Sequence, residues 1–166
     1  PFKFPSQETL NKNSVYGIYL GSYLPWDVKE QVKIIKKELN WKGDEVEGIP
    51  PEYDYEKIEC YMQGVRDYLK YIKRGFGRTS HLASIDIRNN RLDRKEGVRL
   101  VETYDGRRPK ALDFFLKITG ITENEFYDYA FNHIVDPHEE VDREILKKNI
   151  SNNVPKDFEE IEKNLD

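Results

Sequence analysis

A mainly α-helical fold is what this sequence predicts, and three observations predict it. Apolar residues recur at steps of three and four along most of the stretch from Trp26 to Ile134. Helix-starting residues stand at the head of several of these stretches, and glycine or asparagine closes them. The 166 residues are 37% hydrophobic and 35% charged, which suits one domain with a core and a solvated surface. Apolar runs are only a few residues long, so no membrane span is expected, and no basic-then-apolar leader points to export. Cys60 is the single cysteine and excludes an internal disulfide, which fits a cytoplasmic protein. It is expected to be a small buried helix residue.

The elements follow in order. Val15 to Leu24 carries Tyr16, Ile18, Tyr19, Leu20 and Tyr23 ahead of Pro25 and reads as a strand that completes a sheet supplied from elsewhere. From Trp26 to Trp41, Val28, Val32, Ile35 and Leu39 share a helix face, with lysines at other positions. Gly48, Pro50 and Pro51 mark a loop over 43–51. Tyr53 to Arg74 places Ile58, Met62, Val65, Leu69 and Ile72 on one face, predicting the longest helix, ended by Gly75, with its tyrosines at the edge of the core. A short helix is predicted from His81 to Asn89. Asp93 with Glu96 opens the next, which stops at Asp105-Gly106. Another runs from near Pro109 to Gly120 and packs Leu112, Phe115 and Leu116. Thr122 with Glu125 repeats the capping box ahead of Phe126, Ala130 and Ile134. Beyond Asp136 the pattern weakens to one peripheral helix through Val141, Ile145 and Ile150, and the last dozen residues are expected to fray.

Charge is distributed unevenly. Arg66 to Lys110 holds 13 basic and 6 acidic residues, a net of +7, whereas Ile121 to Asp166 holds 5 and 13, a net of −8. Lys73 to Arg91 concentrates five cations around Gly75 and Gly77 with one acid, Asp86. Two readings stand side by side there. The glycines let backbone N–H groups approach a phosphate or carboxylate, or they end a basic helix as a cap. The two short helices around Gly120 have the outline of a helix-turn-helix, but Glu123, Glu125 and Asp128 would face the phosphates, so nucleic acid is not an expected partner. His81, His133 and His138 are scattered, and no metal site is expected. No nucleophile elbow, dinucleotide fingerprint or Walker loop occurs, so any catalysis needs another segment.

Several blocks in order carry a resemblance. Tyr19-Leu20-Gly21-Ser22-Tyr23-Leu24-Pro25-Trp26-Asp27, Asp67 through Arg78, Asp86-Ile87-Arg88, Arg94-Lys95-Glu96-Gly97 and Tyr104-Asp105-Gly106 resemble the carboxy-terminal half of the N-acetyl sugar amidotransferases. These belong to the ATP pyrophosphatase (PP-loop) group and act in lipopolysaccharide O-antigen and flagellar-glycan biosynthesis. The resemblance implies the helical carboxy-terminal part of an α/β adenine-nucleotide-hydrolase-like enzyme, with one or two strands near the start. It implies ATP with Mg as cofactor, a sugar or nucleotide-sugar substrate, and partners that are a glutaminase subunit and an ammonia-channel subunit. The product would be an acetamidino sugar.

The group's phosphate loop, Ser-Gly-Gly-x-Asp-Ser, does not occur here, so the chain is expected to be a fragment inactive alone, with residues 1–24 leading in from a missing PP-loop domain. Residues 25–135 would form the substrate-contacting helical domain and 136–166 an acidic tail. A homodimer would cover apolar surface left by the missing strands. Asn90 stands where relatives are expected to carry glycine, and asparagine suits the same turn. By resemblance Arg78, Lys73 and Arg88 are the candidate catalytic residues, neutralising charge on phosphates or at the adenylated oxygen. Lys70, Gly75, Gly77, Thr79, Ser80 and His81 are candidates to hold substrate or nucleotide. Asp86 orients Arg88 or Arg91, or acts as a base. Trp26 and Asp27 edge the substrate, or Asp27 caps a helix. Two other readings remain: a non-catalytic helical module for an anionic partner, and a tRNA-modifying relative of the same group.

Overall fold

The computed structural model describes residues 3–154 and Lys163, and these form α-helices joined by turns, with no strand among the described residues. The mainly α expectation holds. By packing the chain divides into two compact units, Pro1–Lys42 and Gly43–Asp166, while the expected segments 1–24, 25–135 and 136–166 divide it by role.

In the first unit, α1 (Gln7–Lys12) starts at Ser6, whose hydroxyl accepts the Thr9 N–H. The expected strand over Val15–Leu24 is irregular backbone with a 3-10 turn at Leu20–Ser22. Tyr16, Ile18 and Tyr19 are exposed there. Strand propensity describes fit to a pleated surface, and no neighbouring strand is offered among the described residues, so the aromatic and β-branched side chains do not make a strand by themselves. α2 (Val28–Leu39) forms as its apolar spacing predicts. It is capped by Asp27, whose carboxylate accepts the Lys29 and Glu30 N–H groups, and it ends at Asn40 in the left-handed conformation. None of the described residues of this unit is buried.

The second unit holds the core. α3 (Gln63–Arg74), α6 (Ala111–Thr119), α7 (Glu123–Phe131) and α8 (Arg143–Lys148) contribute Val65, Tyr68, Ile72, Leu112, Phe126, Tyr127 and Leu146 to one buried cluster. α3 begins ten residues later than the spacing of apolar residues predicts. Lys57 takes a left-handed φ of 58°, which a helix cannot continue through, and Tyr53, the expected start of the helix, packs with Val46, Ile49 and Leu82 in a second cluster. Cys60 consequently lies exposed in the turns before α3 and is not a buried helix residue.

The loop over 43–51 is buried at Val46, Glu47, Ile49 and Pro50. It is affordable inside because Asn153 ties its backbone: the side-chain amide donates to the carbonyls of Val46 (2.7 Å) and Ile49 (2.9 Å) and accepts the Gly48 N–H (3.1 Å). α8 is not peripheral. Its buried residue is Leu146, outside the expected Val141, Ile145 and Ile150 pattern, and Ile145 is exposed. The following backbone pairs with Arg108 on both sides, through Arg108 N–H to the Asn149 carbonyl (2.6 Å) and Ser151 N–H to the Arg108 carbonyl (2.9 Å). The expected fraying of the last dozen residues lies, but for Lys163, outside the described residues.

Candidate functional site

α3 ends at Gly75, which adopts the left-handed conformation with φ of 74° and lies against the His138 ring. Three residues later α4 (Arg78–Arg88) begins, and after the turn over Asn89–Asp93 α5 (Arg94–Tyr104) returns alongside it. Asp93 caps α5 by accepting the Glu96 N–H at 2.8 Å, while the Glu96 side chain goes to Arg99, so only half of the predicted capping box forms. Asn90, at φ of 55°, supplies the left-handed residue of the turn. α5 ends at Asp105, and this return brings Asp105 to the first turn of α4.

There the Asp105 carboxylate accepts the N–H of Gly77 (2.8 Å), Thr79 (2.9 Å) and Ser80 (3.2 Å) and the Ser80 hydroxyl (2.6 Å). A carboxylate is favoured at a helix N-terminus, where amides are unpaired and the helix dipole is positive. The backbone groups read as a cradle for an external anion are therefore satisfied from within the chain. Gly77 is required for this approach, because a Cβ there would collide with Asp105 Oδ1.

A cleft opens beside this cap, lined by Asp67, Gly77, Arg78, Asp105, Arg107 and neighbouring residues. Arg78 crosses it as a fork: Nη2 donates to Asp67 Oδ1 (3.0 Å), Nε to Asp67 Oδ2 (3.3 Å) and Nη1 to Glu56 (3.2 Å). Lys70 sits close by, with Nζ 3.4 Å from the Gly77 carbonyl and 4.5 Å from the centre of the Phe76 ring. Burial, followed by the charge of Arg78, pushes its ammonium below the ordinary lysine value. The cleft also meets Glu47, which accepts the N–H groups of Lys110 (2.6 Å) and Ala111 (3.1 Å) and so caps α6 from a distant loop. Burial raises this carboxyl above its usual range even though those two N–H groups pull it down.

The other candidates fall elsewhere. Asp86 is buried and holds Arg91 Nε (2.9 Å) and the Tyr53 hydroxyl (2.8 Å), which locks the α4–α5 turn to the 43–53 loop. Thr79 is fully buried and His81 is exposed. Lys73 faces an apolar pocket with Leu69, Phe115, Phe126 and His133, and its carbonyl accepts the Val135 N–H. Arg88 is exposed on a groove between α4 and α5. In the first unit Asp27 acts as the α2 cap, and Trp26 is exposed.

The structure thus brings Lys70, Gly77, Arg78 and Ser80 together and sets Lys73, Asp86, Arg88 and Arg91 apart from them. The sequence reading left out of the site the carboxylates that organise it, Asp67, Asp105, Glu56 and Glu47. Two signals could have found them. Asp67 and Asp105 stand inside the ordered blocks, and each is one of only six acids among the residues from Arg66 to Lys110.

Behind the cleft, Arg108 donates to Glu123 (2.7 Å) and Asp113 (2.5 Å), and Glu123 accepts the Tyr127 hydroxyl (3.1 Å). Burial pushes the Tyr127 phenol up to about 12. Among the described residues no helix is long and apolar enough to cross a membrane.

Neither the curated proteins nor the solved structures contain a match to the chain. The family model described as "LPS biosynthesis protein WbpG-like, C-terminal domain" matches residues 47–152, a span that opens at the buried Glu47 cap and closes just after the strap on Arg108. A match of that extent, over the whole helical core, makes the chain a member of the WbpG-like C-terminal domain family of lipopolysaccharide-biosynthesis proteins.

Proposed function

We propose that this chain is the helical carboxy-terminal part of an ATP-dependent N-acetyl sugar amidotransferase of lipopolysaccharide biosynthesis. The observation that carries the reading is the convergence of the ordered blocks. Asp67 from one, Gly77 and Arg78 at its end, and Asp105 from the Tyr104-Asp105-Gly106 block meet at a single cleft, and Lys70 reaches the Gly77 carbonyl beside it. Membership in a lipopolysaccharide-biosynthesis family supports the pathway.

In the proposed reaction the acetamido oxygen displaces pyrophosphate from the α-phosphorus of ATP, ammonia adds to the activated carbon, and AMP departs with the oxygen. Among the described residues no group of three His, Cys, Asp or Glu side chains is placed to hold a metal ion. By the resemblance, Mg–ATP is assigned to a polypeptide segment that carries the phosphate loop, and ammonia to a glutaminase partner acting through a channel subunit, in the cytoplasm. This chain's own contribution is cationic. Lys70 beside the cleft and Arg88 at the other end of α4 are the cations offered to anionic groups, while the Asp67–Arg78 fork and the Asp105 cap fix the geometry around Lys70.

The test is an assay of the complete protein with ATP, an N-acetylated nucleotide sugar and ammonium. The expected result is AMP and pyrophosphate released in equal amounts with an amidine product one mass unit lighter than the substrate. Consumption of neither nucleotide nor sugar would contradict it. The second reading, a non-catalytic module for an anionic partner, is favoured by the +7 charge between Arg66 and Lys110 and predicts salt-sensitive binding without turnover.

A further inference from the structure

The buried and half-buried cations of the second unit have partners, with one exception. Arg78, Arg108 and Arg143 hold carboxylates, Lys147 lies near Glu144, and Arg107 donates to the Thr103 carbonyl. Lys70 has the Gly77 carbonyl and the Phe76 ring. Lys73 is half-buried as well, yet among the described residues its ammonium has no ion-pair, hydrogen-bond or ring partner.

Lys73 lines a hollow of about 200 Å³ between α3, α6 and α7. Phe126 and Ala130 are the buried part of its lining, Leu69, Phe115 and Ile121 are half-buried around them, and Tyr129 and His133 are exposed at the mouth. Lys73 and His133 bring the only side-chain nitrogens to this lining among the described residues, and the backbone holds them at one end. The Val135 N–H donates to the Lys73 carbonyl at 2.9 Å, and His133 stands two residues before Val135, so their Cα atoms are at most on the order of 10 Å apart. Ile121 precedes α7 and His133 follows it, so the helix length, about 13 Å, separates an apolar end from a polar one. None of these residues lines the Arg78 cleft.

We propose that this hollow binds a monocarboxylate with an apolar body, the body lying against Phe126, Leu69 and Ile121 and the carboxylate reaching Lys73 and His133. The space exceeds the roughly 150 Å³ that admits benzene, so it takes a ring or a chain of several carbons. An almost wholly apolar lining gains from covering its walls, and a polar body would lose its water there without finding partners. Lys73 offers one fixed positive charge. One carboxylate neutralises it, whereas a phosphate monoester brings up to two negative charges, and the second would have no counter-ion in the same half-buried place. The hollow shares no lining residue with the cleft, so the site stands whether or not the amidotransferase reading holds.

The experiment titrates the ¹⁵N-labelled 166-residue chain separately with octanoate, octyl phosphate, 1-octanol and acetate, below their aggregation concentrations, followed by two-dimensional NMR at constant pH and ionic strength. Octanoate is expected to give saturable shifts at Lys73, Ile121, Ala130 and His133. Octyl phosphate and octanol should each bind on the order of tenfold more weakly, the scale of one charge-assisted hydrogen bond, and acetate should give no shift. Lys73→Met keeps a stem of similar length without the charge. It should weaken octanoate on the order of tenfold and leave octanol unchanged, a split that a merely structural role of Lys73 would not produce. Arg88→Ala should leave both unchanged. Equal weakening of octanoate and octanol by Lys73→Met, octyl phosphate binding as tightly as octanoate, or shifts confined to residues outside the hollow would overturn the proposal. So would the absence of saturation, or shifts at these four amides that follow protein concentration in the free chain, because a second copy would then be the occupant.

Discussion

The two ends of α4 carry the same kind of charge to opposite effect. At its N-terminus, Asp105 fills the amide positions that an anion would take, and Arg78 is spent on Asp67 and Glu56. At its C-terminus, Arg88 stands exposed and is joined by Arg94 from the next helix. Charge satisfied inside the chain holds the hairpin to the core. Charge left without a carboxylate costs the fold little to keep in water and remains available to a ligand. The glycine-rich turn attracts attention as an anion cradle, but its anion is built in, and two cations without a carboxylate among the described residues, Arg88 and Arg94, lie one helix length away.

Breaking the internal anion should be the most damaging change. Asp105→Ala leaves three N–H groups at the start of α4 without their acceptor, two of them from the buried Gly77 and Thr79, and is expected to cost about 3–5 kcal/mol in urea unfolding. A loss below about 1 kcal/mol would mean water replaces the carboxylate freely. Gly77→Ala attacks the same contact from the other side. It forces a methyl group against Asp105 and should cost about 2 kcal/mol, and pairing it with Asp105→Ala should be strongly non-additive.

Glu47 sharpens the comparison through pH, because it caps α6 as Asp105 caps α4 but carries a raised pKa. The folded chain holds this proton more tightly than the unfolded chain, whose value lies near 4.5. The group's contribution to stability is therefore greatest in acid. It falls as pH rises from the unfolded value through the folded one, then levels off. Glu47→Gln should remove that fall, visible as a flatter dependence of the unfolding midpoint on pH. The smallest effect belongs to the other end of α4: Arg88→Ala and Arg94→Ala should each change stability by no more than about 0.5 kcal/mol.

Local signals made much of the fold legible. Asp27, Asp93 and Thr122 head helices as their capping chemistry predicts, and Gly75 and Gly120 end them. What failed depended on tertiary context. Ile58 fits a helical face by spacing, yet Lys57 bends the chain away, and Tyr53, the expected start of that helix, belongs to a cluster with Leu82. Leu146 is buried because α8 docks on α3 and α7, contacts that periodicity over six residues cannot reveal. Val15–Leu24 has strand propensity without a partner strand among the described residues.

The site was legible by residue type and not by pairing. Lys70, Arg78 and Arg88 stood out as cations, but which of them is neutralised depends on Asp67 and Glu56, eleven and twenty-two positions from Arg78. Composition counts charges, and only the fold cancels them.

The most direct test of this division is to measure AMP release by the complete protein and the unfolding midpoint together for Arg88→Ala. The account predicts that release falls on the order of a hundredfold, the scale of a lost phosphate-stabilising cation, while the midpoint stays within experimental error of the unsubstituted protein. An unchanged rate, or a midpoint that drops together with the rate, would contradict it.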